Sequence, residues 1–189
     1  MDDKFKDFWE IRLLEDKIYF LELNGWLKHE FLTWEWWILV SFLVVPWVIW
    51  GKLVKRENIL EIIIFGAIVT IITTLLDIVG LQYHFWDYPI SFLPIIPRAF
   101  PFDFSMVPVA YMLLYQYFST WKSFFSAQII MAIIYAFLGE PFCEWVHLVY
   151  YIKWKYIYSF VYYLIVGFGT RALILKLVSL SKHQDLRTG

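Results

Sequence analysis

The stretch ILEIIIFGAIVTIITTLLDIVGLQY, residues 59–83, decides the solvent of this chain. Its centre, Ile62 to Leu76, carries no charge, and about 20 such residues cross a hydrocarbon core of ~30 Å. Four further runs of similar character flank it. They fall at about 34–53, with Pro46 inside, and at 105–119, 124–145 and 156–177. The reading is an all-α polytopic membrane bundle of five spans, 31–180, preceded by a charged segment, 1–30, and followed by a polar tail, 181–189.

Composition agrees. The chain is 61% hydrophobic and 17% charged, below the roughly 25% charge of soluble domains, and its mean hydropathy is +0.61. A soluble core of this length leaves too much surface outside to hide so much apolar area. Thirteen of the thirty-three charges lie in residues 1–30, so the remainder is more apolar still. Net charge is -1, and no basic cluster is interleaved with stacking groups, which argues against a nucleic-acid partner. The single cysteine, Cys143, rules out an internal disulfide. The acidic start Met1-Asp2-Asp3-Lys4 argues against a cleaved signal peptide. Within 1–30, Phe5, Phe8, Trp9, Leu13 and Leu21 recur at roughly helical spacing, which suits an interfacial helix or a solvated cap equally.

Tryptophans 34, 36 and 37 crowd one end of the first span and Trp47 and Trp50 the other, as in interfacial belts. Residues 84–105 hold four of the seven prolines. They forbid a regular helix yet stay apolar. Such backbone needs protein cover, so a lid or shallow re-entrant loop is expected. Ser105 reads as the N-cap of the third span. Lys52, Lys55 and Arg56, then Lys122, then Lys182 and Arg187 alternate with the remaining loops. The positive-inside rule puts those turns and the C-terminus in the cytoplasm and the N-terminus outside. Lys153, Lys155 and the five basic residues of 1–30 run against that orientation.

A charge at mid-bilayer costs at least ~2.5 kcal/mol, so acids within spans are candidates for function. Asp77, Asp103, Glu140 and Glu144 converge on the outer side beneath the Pro-rich loop. His84 follows Asp77 by seven residues and His147 follows Glu140 by seven. If the helices continue that far, each acid has a histidine two turns along the same face. Three readings stay open. One is a polar cavity for a small or cationic ligand or for protons. Another is a metal site from Glu140, Glu144 and His147, whose spacing Pro141 distorts and which matches no established metal motif. The last is structural, with acids holding backbone donors and Asp103 capping a helix. No cofactor is called for. Arg171 reads as snorkelling to the cytoplasmic face, Gly167 and Gly169 as close helix contacts, and Tyr156 to Tyr163 as belt and packing.

The segments Asp77-Ile-Val-Gly, Trp86-Asp-Tyr-Pro89, Pro101-Phe-Asp103, Pro108 to Tyr117, Glu140-Pro141 and Trp154 to Ser159 together resemble an uncharacterised family of small multi-pass membrane proteins from endospore-forming Firmicutes. The likeness covers about 35–175. It implies a bacterial cell membrane and supplies no activity or catalytic residue. The sequence thus leads to a non-enzymatic membrane component (a sensor, transport accessory or envelope protein) with an outer-facing cavity at its centre. Its expected partners are the lipid bilayer and another membrane protein. The rivals are an intramembrane enzyme acting on a lipid or isoprenoid through these acids and histidines, and a structural partner subunit of a membrane complex.

Overall fold

The computed structural model describes residues 3–95 and 97–188, the last eight by backbone alone. Among the described residues the regular structure is helical apart from one short strand pair. Helix α1 spans Asp3–His29, α2 Trp34–Leu53, α3 Ile59–Gln82, α4 Val107–Tyr117, α5 Trp121–Ile134, α6 Glu140–Trp145 and α7 Tyr156–Thr188. Two π-helical turns, Phe102–Met106 and Tyr135–Gly139, lead into α4 and α6. Strands β1, Trp86–Asp87, and β2, Tyr150–Tyr151, pair antiparallel with Trp86 opposite Tyr151. Side chains of the polar tail, 181–189, lie outside the described residues, as does Gly189 altogether.

Among the described residues, four helical stretches are long and apolar enough to cross a membrane: Trp34–Leu53, Arg56–Gln82, Trp121–Trp145 and Tyr156–Leu180. The third of the five expected spans is different. Even with its π turn it runs only from Phe102 to Tyr117, short of the ~20 residues a bilayer asks for. It still runs from the loop end of the bundle to the opposite end, and it forms the buried centre. Val107, Val109, Tyr111, Met112, Leu114 and Tyr115 all pack inside, against Ile62, Phe65 and Val69 of α3 and Val166 and Ile174 of α7. Gly66 lets α3 and α4 close up, since a Cβ there would meet the Met112 side chain.

Hydrogen bonds tie each end of the bundle. At one end, Gln116 Nε2 and the Tyr117 hydroxyl donate to the Leu53 carbonyl (3.2 and 2.9 Å), and Lys55 Nζ donates to the Gln116 carbonyl. The turns after α2 and α4 therefore lie together. At the other end, the indoles of Trp26 and Trp36 donate to the carbonyls of Ser91 and Phe92 (2.9 and 3.0 Å), and Glu30 accepts from the Ser91 amide. Arg98 pairs with Asp87 at 3.1 Å and with Glu22. The end of α1, the Pro-rich loop and residues 146–155 thus share one face. From residue 3 to 21 every α1 side chain is exposed, and contact with the bundle is confined to its last turns.

Three residues depart from expectation here: Ser105, Arg171 and Gly169. Ser105 caps nothing: its hydroxyl sits inside the π turn and donates to the Leu43 carbonyl of α2 at 2.8 Å. Arg171 does not snorkel. It is 2% exposed and donates to the carbonyls of Phe118 (2.8 Å) and Ser119, with its guanidinium 4.4 Å from the Phe124 ring centroid. The carbonyls that end α4 need donors and favour a cation, and within the bundle this side chain is the donor they find. Gly167 receives the Gln128 amide as a close contact, whereas Gly169 faces open space.

Candidate functional site: an acid-lined cavity under the loop

Two prolines shape the backbone around the site. Pro108 and Pro141 each lack an N–H and each lie just after a π-helical turn. In the first turn Val107 N–H reaches back to Phe102; in the second Glu140 N–H reaches Tyr135. A π turn inserts a residue and rotates the helix beyond it, and such turns concentrate at functional sites. Pro108 cannot bond the Phe104 carbonyl, which accepts instead from the Trp47 indole at 2.9 Å.

Both turns face a cavity of about 480 Å³ whose polar lining includes Asp77, Asp103, Glu140, Tyr88, Tyr151 and Tyr163. Its volume is in the range of small-molecule sites. Asp77, on α3, is 4% exposed, Asp103 5% and Glu140 9%. Asp77 Oδ1 accepts from the Trp86 indole (3.0 Å) and the Tyr88 hydroxyl (2.7 Å). Glu140 Oε1 accepts from the Tyr163 hydroxyl at 3.0 Å. The second oxygen of each acid, Asp77 Oδ2, Asp103 Oδ2 and Glu140 Oε2, is buried without a hydrogen-bond partner among the described residues. Buried polar atoms are normally paired. Among the described residues that line the cavity there is no Lys, Arg or His.

Tyr88 and Tyr151 stand in the loops rather than the helices. Burial, then the neighbouring Asp77, pushes the Tyr88 phenol well above its ordinary range. Burial, then Glu140, raises Tyr151 in the same way. Both keep their proton at any physiological pH and remain O–H donors. Above them, Trp86 packs edge-on against Trp154, ring centroids 4.9 Å apart, and closes the roof. Gly80 makes this possible: a Cβ there would collide with the Trp86 indole.

Of the six residues singled out in the sequence, Asp77, Asp103 and Glu140 line the same cavity. Glu144 turns aside and accepts from the Tyr156 hydroxyl. Neither histidine joins them. The helices end before the second turn is complete, at Gln82 and Trp145. His84 and His147 are exposed and take positive φ, 52° and 58°. Phe85 N–H bonds Gly80 O and His84 N–H bonds Leu81 O; Leu148 N–H bonds Cys143 O and His147 N–H bonds Glu144 O. Each histidine is the left-handed residue of a Schellman helix stop, a conformation in which His is enriched among non-glycine residues. Among the described residues no cluster of His, Cys, Asp or Glu has metal-binding geometry, and Cys143 is a buried free thiol.

Four site residues escape the sequence reading: Tyr88, Tyr151, Tyr162 and Tyr163. The signal for the first two is a repeat. The same interval separates Asp77 from Glu140, His84 from His147 and Tyr88 from Tyr151. Each unit is an acid on a helix, a histidine stop, a short strand and a tyrosine returning to the cavity, and β1 and β2 join the two units. Tyr162 and Tyr163 of α7 line the same space, where belt and packing were the roles expected of them.

These features define an apolar helical bundle of the integral-membrane class with a buried acidic cavity. Compared with protein-family models, characterised proteins and solved structures, the chain has no match.

Proposed function

We propose that the protein binds a small organic cation within the membrane, as a non-enzymatic sensor, transport accessory or envelope component. The observation that carries this reading is three buried carboxylates with unpartnered oxygens around one cavity, without a basic residue among the described residues of its lining. Buried charge without a counterion costs several kcal/mol, and an ammonium group offsets it with charge-assisted hydrogen bonds. Aromatic faces from Trp86, Tyr88 and Trp154 suit the same guest. In this reading the protein sits in a bacterial cell membrane, as the sequence resemblance implies. The loop end faces outward, because Lys52, Lys55, Arg56 and Lys122 gather at the opposite end.

The test is thermal unfolding of the purified protein against primary and quaternary ammonium salts. At 100 times Kd a ligand adds about 2.7 kcal/mol. The expected result is a rise in Tm, abolished in Asp77→Asn/Glu140→Gln. If no ammonium compound moves the melt, the reading fails. Turnover of a lipid extract, lost in Glu140→Gln, would instead establish the rival of an intramembrane enzyme, for which the Tyr163–Glu140 and Tyr88–Asp77 pairs offer proton donors and acceptors.

A further inference from the structure

The cavity has a side as well as a roof, and the two differ in chemistry. The roof is closed: Trp86, Val146, Leu148 and Val149 are all less than a tenth exposed. The β1–β2 pair holds the two loops together above them. The side is open. Ile134, Leu138 and Phe142 line the cavity, yet they are 47%, 64% and 42% exposed. A residue that both lines a cavity and faces outward marks a mouth. All three belong to Trp121–Trp145, a stretch long and apolar enough to cross a membrane, so the mouth opens along a lipid-compatible helix and its rim is apolar.

Helix packing accounts for the opening. Helices α4 and α5 are joined by a tight turn at 118–120 and diverge from it. Helix α4 runs close along α3, while α5 runs along α7. Beyond the divergence α6 has little backbone packing against α2, α3 or α4. One hydrogen bond, from the Tyr135 hydroxyl to the Met106 carbonyl at 3.0 Å, spans the gap. The two π turns carry Met106 and Tyr135, and Asp103 within the first and Glu140 just after the second line the cavity behind.

We infer that the ligand enters sideways from the bilayer and is an amphiphile: an ammonium headgroup held by Asp77, Asp103 and Glu140, with an alkyl chain lying out through the gap between α4 and α6. This rests on the cation reading above and adds the route and the tail. A water-soluble ion meets hydrocarbon at this mouth, whereas a lipid-phase amine arrives with its headgroup near the right depth and keeps its chain in an apolar surrounding throughout.

The experiment compares butylamine with dodecylamine on the purified full-length protein in neutral maltoside micelles, below the amine's own micellar range. Affinity is read from Tm and from Trp fluorescence. A photoactivatable dodecylamine with a diazirine in mid-chain maps the tail by peptide sequencing. The expected result is at least tenfold tighter binding of dodecylamine, label on Met106, Leu138 or Phe142, and a lower dodecylamine-to-butylamine affinity ratio in Leu138→Trp, which narrows the gap. Asp77→Asn/Glu140→Gln corrects for partition into the micelle. Equal affinity for the two amines, or label confined to the loop at 83–101, overturns the lateral route and leaves the cation site standing. Failure of both amines to bind overturns the cation site itself.

Discussion

Arg171 and Gly80 show how single positions hold the site in place. Arg171 closes the α4–α5 turn from within, its charge directed at two backbone carbonyls and an aromatic wall. Replacing it with Met leaves those carbonyls without donors. At about 1.5–3 kcal/mol per hydrogen bond to a charged group, Arg171→Met should lower unfolding free energy by roughly 2–5 kcal/mol, read by denaturant titration in micelles. Gly80→Ala forces the Trp86 indole aside. Overpacking of this kind costs about 1–3 kcal/mol, and it also moves the donor that orients Asp77. The variant is therefore expected to lose amine affinity beyond what its stability loss explains, measured as a Tm shift at saturating ligand. Tyr88→Phe removes one hydroxyl from Asp77 and should cost about 1 kcal/mol.

Among the elements, the helix stops carry the clearest test. His84 and His147 hold left-handed backbone at equivalent points of the two units. Glycine adopts that conformation freely and a β-branched residue does not. His84→Gly and His147→Gly should retain or gain stability, by up to about 1 kcal/mol, and bind ammonium compounds as the parent does. His84→Val should lose about 1–2 kcal/mol. A loss of binding in the glycine variants would return the histidines to the site. The acids were legible in the sequence because a carboxylate in a hydrocarbon run is costly wherever it points. The departure of the histidines was not, because helix length near a terminus depends on a cap, and a histidine cap has no strong signature. The tyrosines hid for another reason: in a chain this aromatic, a hydroxyl aimed inward is indistinguishable from one at a belt until the strand pair fixes its direction. The short α4 reads as a span because burial in protein and burial in lipid select the same residues.

At the scale of the molecule, the alternation of bundle ends is the property most open to direct measurement. The turns at 54–58 and 118–120 share one end, and the loops at 83–101 and 146–155 share the other. Cys143 is buried, so single cysteines introduced as Ile90→Cys and Lys122→Cys can be read over little background. An impermeant maleimide applied to intact cells should label position 90 and spare position 122 until the membrane is opened. Labelling of both from one side would break the threading, and labelling of 122 alone would invert it. Much of this arrangement is set by the order of apolar runs and basic turns. The lateral gap is not legible there, since it arises from two helices diverging and has no residue pattern of its own.

The depth at which Asp77 sits has an electrical consequence. It lies five residues before the end of α3, about 8 Å at ~1.5 Å per residue, which is roughly a quarter of a hydrocarbon core of ~30 Å. A monovalent guest resting there has crossed that fraction of the field. With the loop end facing outward, as proposed above, and at about 2.3 kcal/mol per charge per 100 mV for the full thickness, an inside-negative potential of ~100 mV favours its occupancy by roughly 0.6 kcal/mol. Energised vesicles should therefore hold the guest nearly threefold more tightly than depolarised ones.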